Sequence, residues 1–210
     1  MAVTVTWINH ASFRISGPGS VVYIDPWKMP TQPADADIVL VSHGHFDHCS
    51  AEDIEKVSGD RTVLVAPRDV VSKLGYGQAI TPGDELRIDA ASIEAVCAYN
   101  LSKDFHPQAN DWIGAVINLD GKRIYYAGDT DLTPEMASLT SIDLALLPVG
   151  GTYTLDAEEA ARACGEIAPV AAMPYHWGDI VGSRRDAETF AESAGCEVHV
   201  LQPGQSLELP

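Results

Sequence analysis

Near its start the chain alternates apolar and polar residues with a period of two. Residues 3–8, 12–15 and 21–25 carry this alternation, and Gly17-Pro18-Gly19-Ser20 breaks it once. The pattern predicts an antiparallel meander whose tight turn lies at the glycines. Residues 38–42 form a short, continuous apolar run, which suits a strand buried on both faces. Helical spacing takes over at 51–57, a strand is expected at 63–66, and helical spacing returns at 68–74. Strands are then predicted at 85–88 and 93–98, followed by a hairpin of 113–119 and 122–127 around Asp120-Gly121. The last part alternates β and α: a strand at 144–148, a helix at 155–167, a strand at 170–174, a helix at 186–194 and a strand at 197–201.

Each half thus runs from hairpins to β/α alternation. That order predicts two mixed β-sheets packed face to face with helices outside them, an αββα four-layer sandwich. No repeat, low-complexity tract or Pro/Ser-rich linker interrupts the pattern, so residues 1–210 read as a single domain. The longest irregular stretches are 26–37 and 99–112, and loops of that length in a folded domain tend to carry function.

Composition narrows the classes. The chain is 46% hydrophobic and 20% charged, which is ordinary for a globular protein, but its net charge is −17. Such an acid excess argues against nucleic acid and anionic membranes as partners, because phosphate binding needs clustered Lys and Arg. No window approaches the roughly 20 apolar residues of a membrane span. The opening residues read as a strand and not as an export signal, so a cytoplasmic protein is expected. The four cysteines, Cys49, Cys97, Cys164 and Cys196, are scattered and form no Cys-x-x-Cys pair, as in a reducing compartment. Cys49 alone adjoins candidate chemistry. It reads either as an adventitious ligand or as a small buried hydrophobe.

That chemistry is His43-Gly44-His45-Phe46-Asp47-His48, which places three of the chain's seven histidines in one turn. His43 and His45 can converge on one cation, while Asp47 and His48 can serve a second beside it. Imidazole with carboxylate suits zinc, and also iron or manganese.

These residues match the His-x-His-x-Asp-His motif of metallo-β-lactamase-fold hydrolases. Further matches are Gly128-Asp129-Thr130 after an apolar strand, His176 after the strand at 170–174, Asn9-His10-Ala11-Ser12-Phe13, Ile24-Asp25-Pro26 and the stretch 143–150. In their order they resemble the compact lactonase-like branch, the one similar to L-ascorbate-6-phosphate lactonase (UlaG-like). The resemblance implies two divalent metal ions, zinc first and Mn or Fe as alternatives. It implies His43, His45, Asp47, His48, Asp129 and His176 as ligands, with Asp129 between the ions. Asp25 either fixes the histidine turn or simply caps the turn before Pro26.

The chain departs from this pattern at one point. Where the family carries another histidine, before the Gly-Asp-Thr segment, this sequence reads Cys97-Ala98-Tyr99-Asn100. Three outcomes are open: Asn100 binds weakly or through water, favouring a harder metal; His106 replaces the missing ligand; or the first site stays incomplete. Asp47, His10 and His106 are the candidate catalytic residues. Asp47 would orient the attacking water and accept its proton, with His10 and His106 orienting substrate or protonating the leaving group. Tyr153 offers an oxyanion hydrogen bond or mere loop packing, and His199 reads as structural.

The expected function is a metal-dependent hydrolase cleaving an ester, lactone or phosphoester bond of a small cytoplasmic metabolite. Two alternatives stand beside it: a di-iron redox protein on the same scaffold, and a non-catalytic metal-binding protein. β-Lactam hydrolysis is disfavoured by the absence of an export signal. The expected partner is a small-molecule substrate, with no nucleic acid or membrane; a homo-oligomer is left open.

Overall fold

In the computed structural model, which describes residues 2–210, the alternating opening becomes β1 (Val3–Asn9), β2 (Ser12–Ser16) and β3 (Val21–Ile24), paired antiparallel in succession. Strands β4 (Ala36–Leu40), β5 (Ser58–Ala66) and β6 (Gln78–Ala79) extend this sheet in parallel. A second sheet begins with four antiparallel neighbours: β7 (Glu85–Ile88), β8 (Ala91–Cys97), β9 (Ile113–Leu119) and β10 (Lys122–Tyr126). It continues in parallel through β11 (Leu144–Pro148), β12 (Ala171–Tyr175) and β13 (Glu197–Val198). Strand β14 (Ser206–Leu209) returns to the first sheet and pairs with β1. Each sheet has seven strands and mixed pairing.

Helices α1 (Ala51–Val57) and α2 (Arg68–Leu74) cover the first sheet. Helices α3 (Pro134–Ala137), α4 (Ala157–Ile167) and α5 (Arg184–Ser193) cover the second. The expected αββα order is the one observed. β4 shows why its sequence is apolar without a break. Ile38 and Leu40 join the core between the sheets, whereas Val39 and Val41 pack with Ile54, Val57 and Val70 under the helices. A strand covered on both faces has no polar face to show.

Several expected boundaries shift for physical reasons. β5 starts at Ser58, not 63, because its first half is polar and solvated, which hides it from apolar periodicity. β4 starts at Ala36 and ends at Leu40, so residues 41–42 already belong to the turn that follows. The helix expected from 155 starts at Ala157, since Asp156 is its N-cap and shares a capping box with Glu159. The helix expected at 186–194 runs Arg184–Ser193, with a second capping box between Ser183 and Asp186. The strand expected at 197–201 is only Glu197–Val198, and the chain then leaves the sheet edge. Helix α3 is absent from the apolar pattern, although Thr133-Pro134 is a readable cap followed by proline at its first turn. β6, β14 and a 3₁₀ turn at Gln108–Asn110 are absent from it too; all are short. Among the described residues, no helix is long and apolar enough to cross a membrane.

The loop after β3 is pinned from α1. Asp53 accepts hydrogen bonds from the backbone N–H groups of Lys28 (2.9 Å) and Met29 (3.0 Å) and from Ser50 and Lys56. Burial alone would raise its carboxyl, but the Lys56 and Ser50 hydrogen bonds outweigh this and hold it below the usual range. A depressed folded value means that the stabilisation is present above the unfolded pKa, about 3.9, and is lost as pH falls through the folded value. Asp53→Asn is therefore expected to cost about 1–2 kcal/mol at pH 7. The gap to wild type should narrow below about pH 4, as read from urea unfolding across pH.

Candidate metal centre

Five chain segments deliver polar side chains to one edge of the sandwich. The β1–β2 bend carries His10, and the turn between β4 and α1 carries His43, His45, Asp47 and His48. The loop after β8 carries Asn100 and His106, the end of β10 leads to Asp129, and the end of β12 leads to His176. The histidine turn is closed by the His45 carbonyl, which accepts from the N–H groups of His48 (3.2 Å) and Cys49 (2.8 Å). Gly128 has a φ of +68° and lies so near the Ile113 carbonyl that a Cβ would stand 2.7 Å from it. Only glycine passes there, and it sets Asp129 at the sheet edge. His10, Asp25 and His176 have φ of 38°, 43° and 61°, an uncommon region for residues with side chains. Such conformations persist where surrounding structure enforces them, often at functional sites.

The side chains fall into two groups. In the first, one nitrogen from each of His43, His45 and His106 lies within 4.8 Å of the others. His43 Nε2 and His45 Nδ1 are 2.9 Å apart. In the second, His10, Asp47, His48 and His176 each bring one atom within the same limit. Asp129 stands between the groups, with Oδ2 3.4 Å from His106 Nε2 and 3.2 Å from His176 Nε2, and Oδ1 3.4 Å from His48 Nε2. His10 Nε2 is 3.1 Å from Asp47 Oδ2. All the sequence-predicted site residues are thus brought together.

Hydrogen bonds behind the rings set which nitrogen faces the cavity. Asp25, fully buried, accepts from Ser42 N–H (2.7 Å), Ser42 Oγ (2.5 Å), Tyr126 Oη (2.6 Å) and His48 Nδ1 (2.7 Å). Ser42 Oγ in turn lies 3.0 Å from His43 Nδ1. With its proton on Nδ1, each ring turns a bare Nε2 inward. Asp25 approaches His43 and His48 closely enough to be a ligand itself, but its oxygens already serve four donors, so it supports the rings from behind.

What remains inward is unpaired. His48 Nε2, His106 Nε2, His176 Nε2 and Asp129 Oδ1 are buried without a hydrogen-bond partner. An unsatisfied buried polar atom costs about 1–3 kcal/mol, so several converging on one spot require an occupant. Imidazole nitrogens flanking a carboxylate suit a divalent cation such as zinc, iron or manganese. The residues present fit such ions. In the field of the protein groups alone, burial pushes His43 well below the ordinary histidine value, with nearby His48 adding to the effect. Burial opposes charge on Asp129 as well, yet His176 and His48 outweigh it and hold the carboxyl well below its usual range. Burial opposes charge on His48 too, but Asp129 and Asp25 outweigh it and raise the ring well above the ordinary histidine value, so a cation taken up there would displace a proton.

Asn100 is not turned toward this cavity as a donor. Its Oδ1 accepts from the backbone N–H (3.1 Å) and Nδ1 (2.9 Å) of His106, and its Nδ2 donates to Asp131 (3.0 Å) and to the Tyr153 carbonyl (2.9 Å). Both ends of the amide are therefore spent on holding the 99–112 loop, and His106 is the residue presented to His43 and His45. Cys49 packs in the apolar cluster under the helices and joins no ligand group among the described residues; all four cysteines are free. Tyr153 borders the cavity, with its ring edge-on to Phe105 at 4.7 Å. His199 follows β13, 3.6 Å from Glu197, away from these groups. Sequence reasoning missed Trp112, whose ring lies 5.0 Å from those of both His43 and His45 and whose Nε1 donates to Asp69. It also missed Tyr126, whose position at the end of β10 is its sole signal.

A β-lactamase superfamily domain is matched over residues 4–176. The chain belongs to the metallo-β-lactamase superfamily. Its relatives there include a metal-dependent hydrolase (UPF0173) of Pyrococcus abyssi, 33% identical over 227 residues, covering 99% of this chain and 100% of the relative. Among solved structures, a protein described as a metal-dependent hydrolase from Parabacteroides distasonis superimposes with a TM-score of 0.84 at 32% identity, over 97% of this chain and 94% of that one. A metallo hydrolase from Ignicoccus hospitalis gives a TM-score of 0.83 at 26% identity, over 100% and 99% of the two chains. The αββα sandwich is accordingly the metallo-β-lactamase fold, and the chain is a metal-dependent hydrolase of that superfamily. His106 joins His43 and His45 in the first group, and Asn100, six residues earlier, holds its ring from behind.

Proposed function

We propose that this chain binds two divalent cations, zinc by ligand type, and hydrolyses an ester, lactone or phosphoester bond of a small molecule. The observation that carries the reading is the convergence of buried, unpaired His48 Nε2, His106 Nε2, His176 Nε2 and Asp129 Oδ1. His43, His45 and His106 would hold one ion, Asp47, His48 and His176 the other, and Asp129 both. When bound, such ions lower the pKa of a water from about 15.7 to about 7 and polarise the oxygen of the bond to be cleaved.

The chain's own residues supply position and proton handling. His10 Nε2–H donates to Asp47 Oδ2 and so fixes the angle of that carboxylate. Asp47 borders the cavity together with His45, His106 and Asp129. Its oxygen is placed to accept the proton of a water entering there and to pass it to the departing oxygen. His106 joins the ligands in this reading, held by Asn100, and His10 acts through Asp47. A cytoplasmic setting belongs to the same proposal and is supported by the four unlinked cysteines.

Asp47→Ala tests the assignment. Turnover in a panel of esters, lactones and phosphodiesters is expected to fall by about 10²–10⁴. Metal content should fall with it, while urea unfolding stays cooperative. Unchanged kinetics would remove Asp47 from the mechanism. A protein that binds metal tightly yet cleaves nothing in the panel would favour the non-catalytic reading, and visible absorption from a bridged ferric pair would favour the di-iron one.

A further inference from the structure

The exposed apolar side chains are concentrated at the mouth of the candidate metal centre. Phe46 is 69% exposed, Phe105 46% and Ile180 37%, and all three line its cavity; Leu101, 61% exposed, lies on the same loop as Phe105. Elsewhere among the described residues only Tyr76 and Val170 are large, apolar and exposed. Scattered apolar residues need no explanation, but a cluster around a polar floor marks a binding surface. The cluster is also braced. Trp27 meets Phe46 edge-on at 5.9 Å, and Tyr153 meets Phe105 edge-on at 4.7 Å.

The same cavity has no lysine or arginine in its lining. Lys28, on the loop after β3, is engaged: its Nζ donates to both Asp179 oxygens (3.0 and 2.8 Å) and lies 4.1 Å from the Trp27 ring centre. Lys103 is paired with Asp131. An anionic tail reaching away from the cations would therefore meet aromatic rings and no lysine or arginine in the wall, on a protein of net charge −17. Size sets a further limit. The cavity measures about 220 Å³, below the roughly 300–1,000 Å³ of pockets for drug-sized ligands.

We propose that the site takes a small, uncharged ester or lactone whose short apolar arm seats against Phe46, Phe105, Tyr153 and Ile180. This rests on the hydrolase reading for the bond that is cleaved, but the apolar wall can be tested without turnover. Hydroxamates anchor to divalent cations through their two oxygens and present an acyl arm of chosen length. Calorimetry on the metal-loaded protein with acetohydroxamate, butyrohydroxamate and the monohydroxamate of succinate separates arm length from charge. Each added methylene is expected to tighten binding about threefold to fourfold, so butyryl should exceed acetyl about tenfold. The succinyl compound, similar in length but anionic, should bind more weakly than the butyryl one.

Phe46→Ala combined with Phe105→Ala should erase the gain from acetyl to butyryl while acetohydroxamate still binds; metal content and melting temperature check that this variant is folded. Affinity independent of arm length in the wild type, or a succinyl arm bound as tightly as butyryl, overturns the proposal even if the double variant fails to fold. Turnover of the ester panel with arm-independent affinities would uphold the hydrolase reading and refute the apolar pocket. Affinities that rise with arm length, with no ester or lactone cleaved, would uphold the apolar pocket and refute hydrolysis.

Discussion

Asp129→Ala is expected to remove both cations at once and with them all turnover above background. Asp129 is buried and stands 3.2–3.4 Å from the inward nitrogens of His48, His106 and His176, so it is the one carboxylate shared by the two ligand groups. Without it, two divalent charges would face each other across neutral imidazoles. Losing a hydrogen-bonded partner behind a ligand typically costs 10–100-fold in metal affinity. Loss of the shared ligand itself should exceed that, and kcat/KM should fall by at least about 10³. Asp129→Asn keeps the shape and loses the charge. It should resemble the alanine variant if charge is what matters, and metal titration with a chromophoric chelator reads the difference. A variant that keeps both ions would place the cations elsewhere.

Asp25→Ala is expected to strike stability and metal binding together. Removing its carboxylate strands four buried donors: the Ser42 N–H and hydroxyl, the Tyr126 hydroxyl and His48 Nδ1. Breaking a buried network of this kind from one side costs about 3–5 kcal/mol. Alanine must also adopt the φ of 43° found there, which adds strain, whereas asparagine tolerates that region better. Urea unfolding at pH 7 should show the loss, with Asp25→Asn intermediate. Because His48 loses the partner that fixes its ring, metal affinity should fall even in the fraction that stays folded. A variant of wild-type stability would mean that the four donors find other partners.

Asp129 and Asp25 also mark how far the sequence is readable. The histidine turn is legible because its candidate ligands are adjacent and follow a short apolar run that reads as a strand. The roles of Asp129 and His176 come from motif resemblance, since nothing local in either segment identifies a cavity whose other ligands lie far away in sequence. Asn100 and His106 are ambiguous for a physical reason. Their arrangement depends on a loop conformation closed by hydrogen bonds to Asp131 and Tyr153, which lie on later segments. Asp25 reads as either a turn cap or a support for the histidines, and four long-range hydrogen bonds decide for the support. The elements hidden from the pattern have a common cause as well. β6, with two residues, is too short for periodicity, and the first half of β5 shows no apolar face.

The proposed two-ion centre rests on buried, unpaired nitrogens and oxygens that converge at one edge of the sandwich. Elemental analysis of the desalted protein, side by side with His106→Ala, tests this most directly. About two ions per chain are expected in the wild type and about one in the variant, which loses a ligand of the first group only. Protein free of stoichiometric metal after supply of zinc, manganese and iron, or a metal content indifferent to His106, would contradict it.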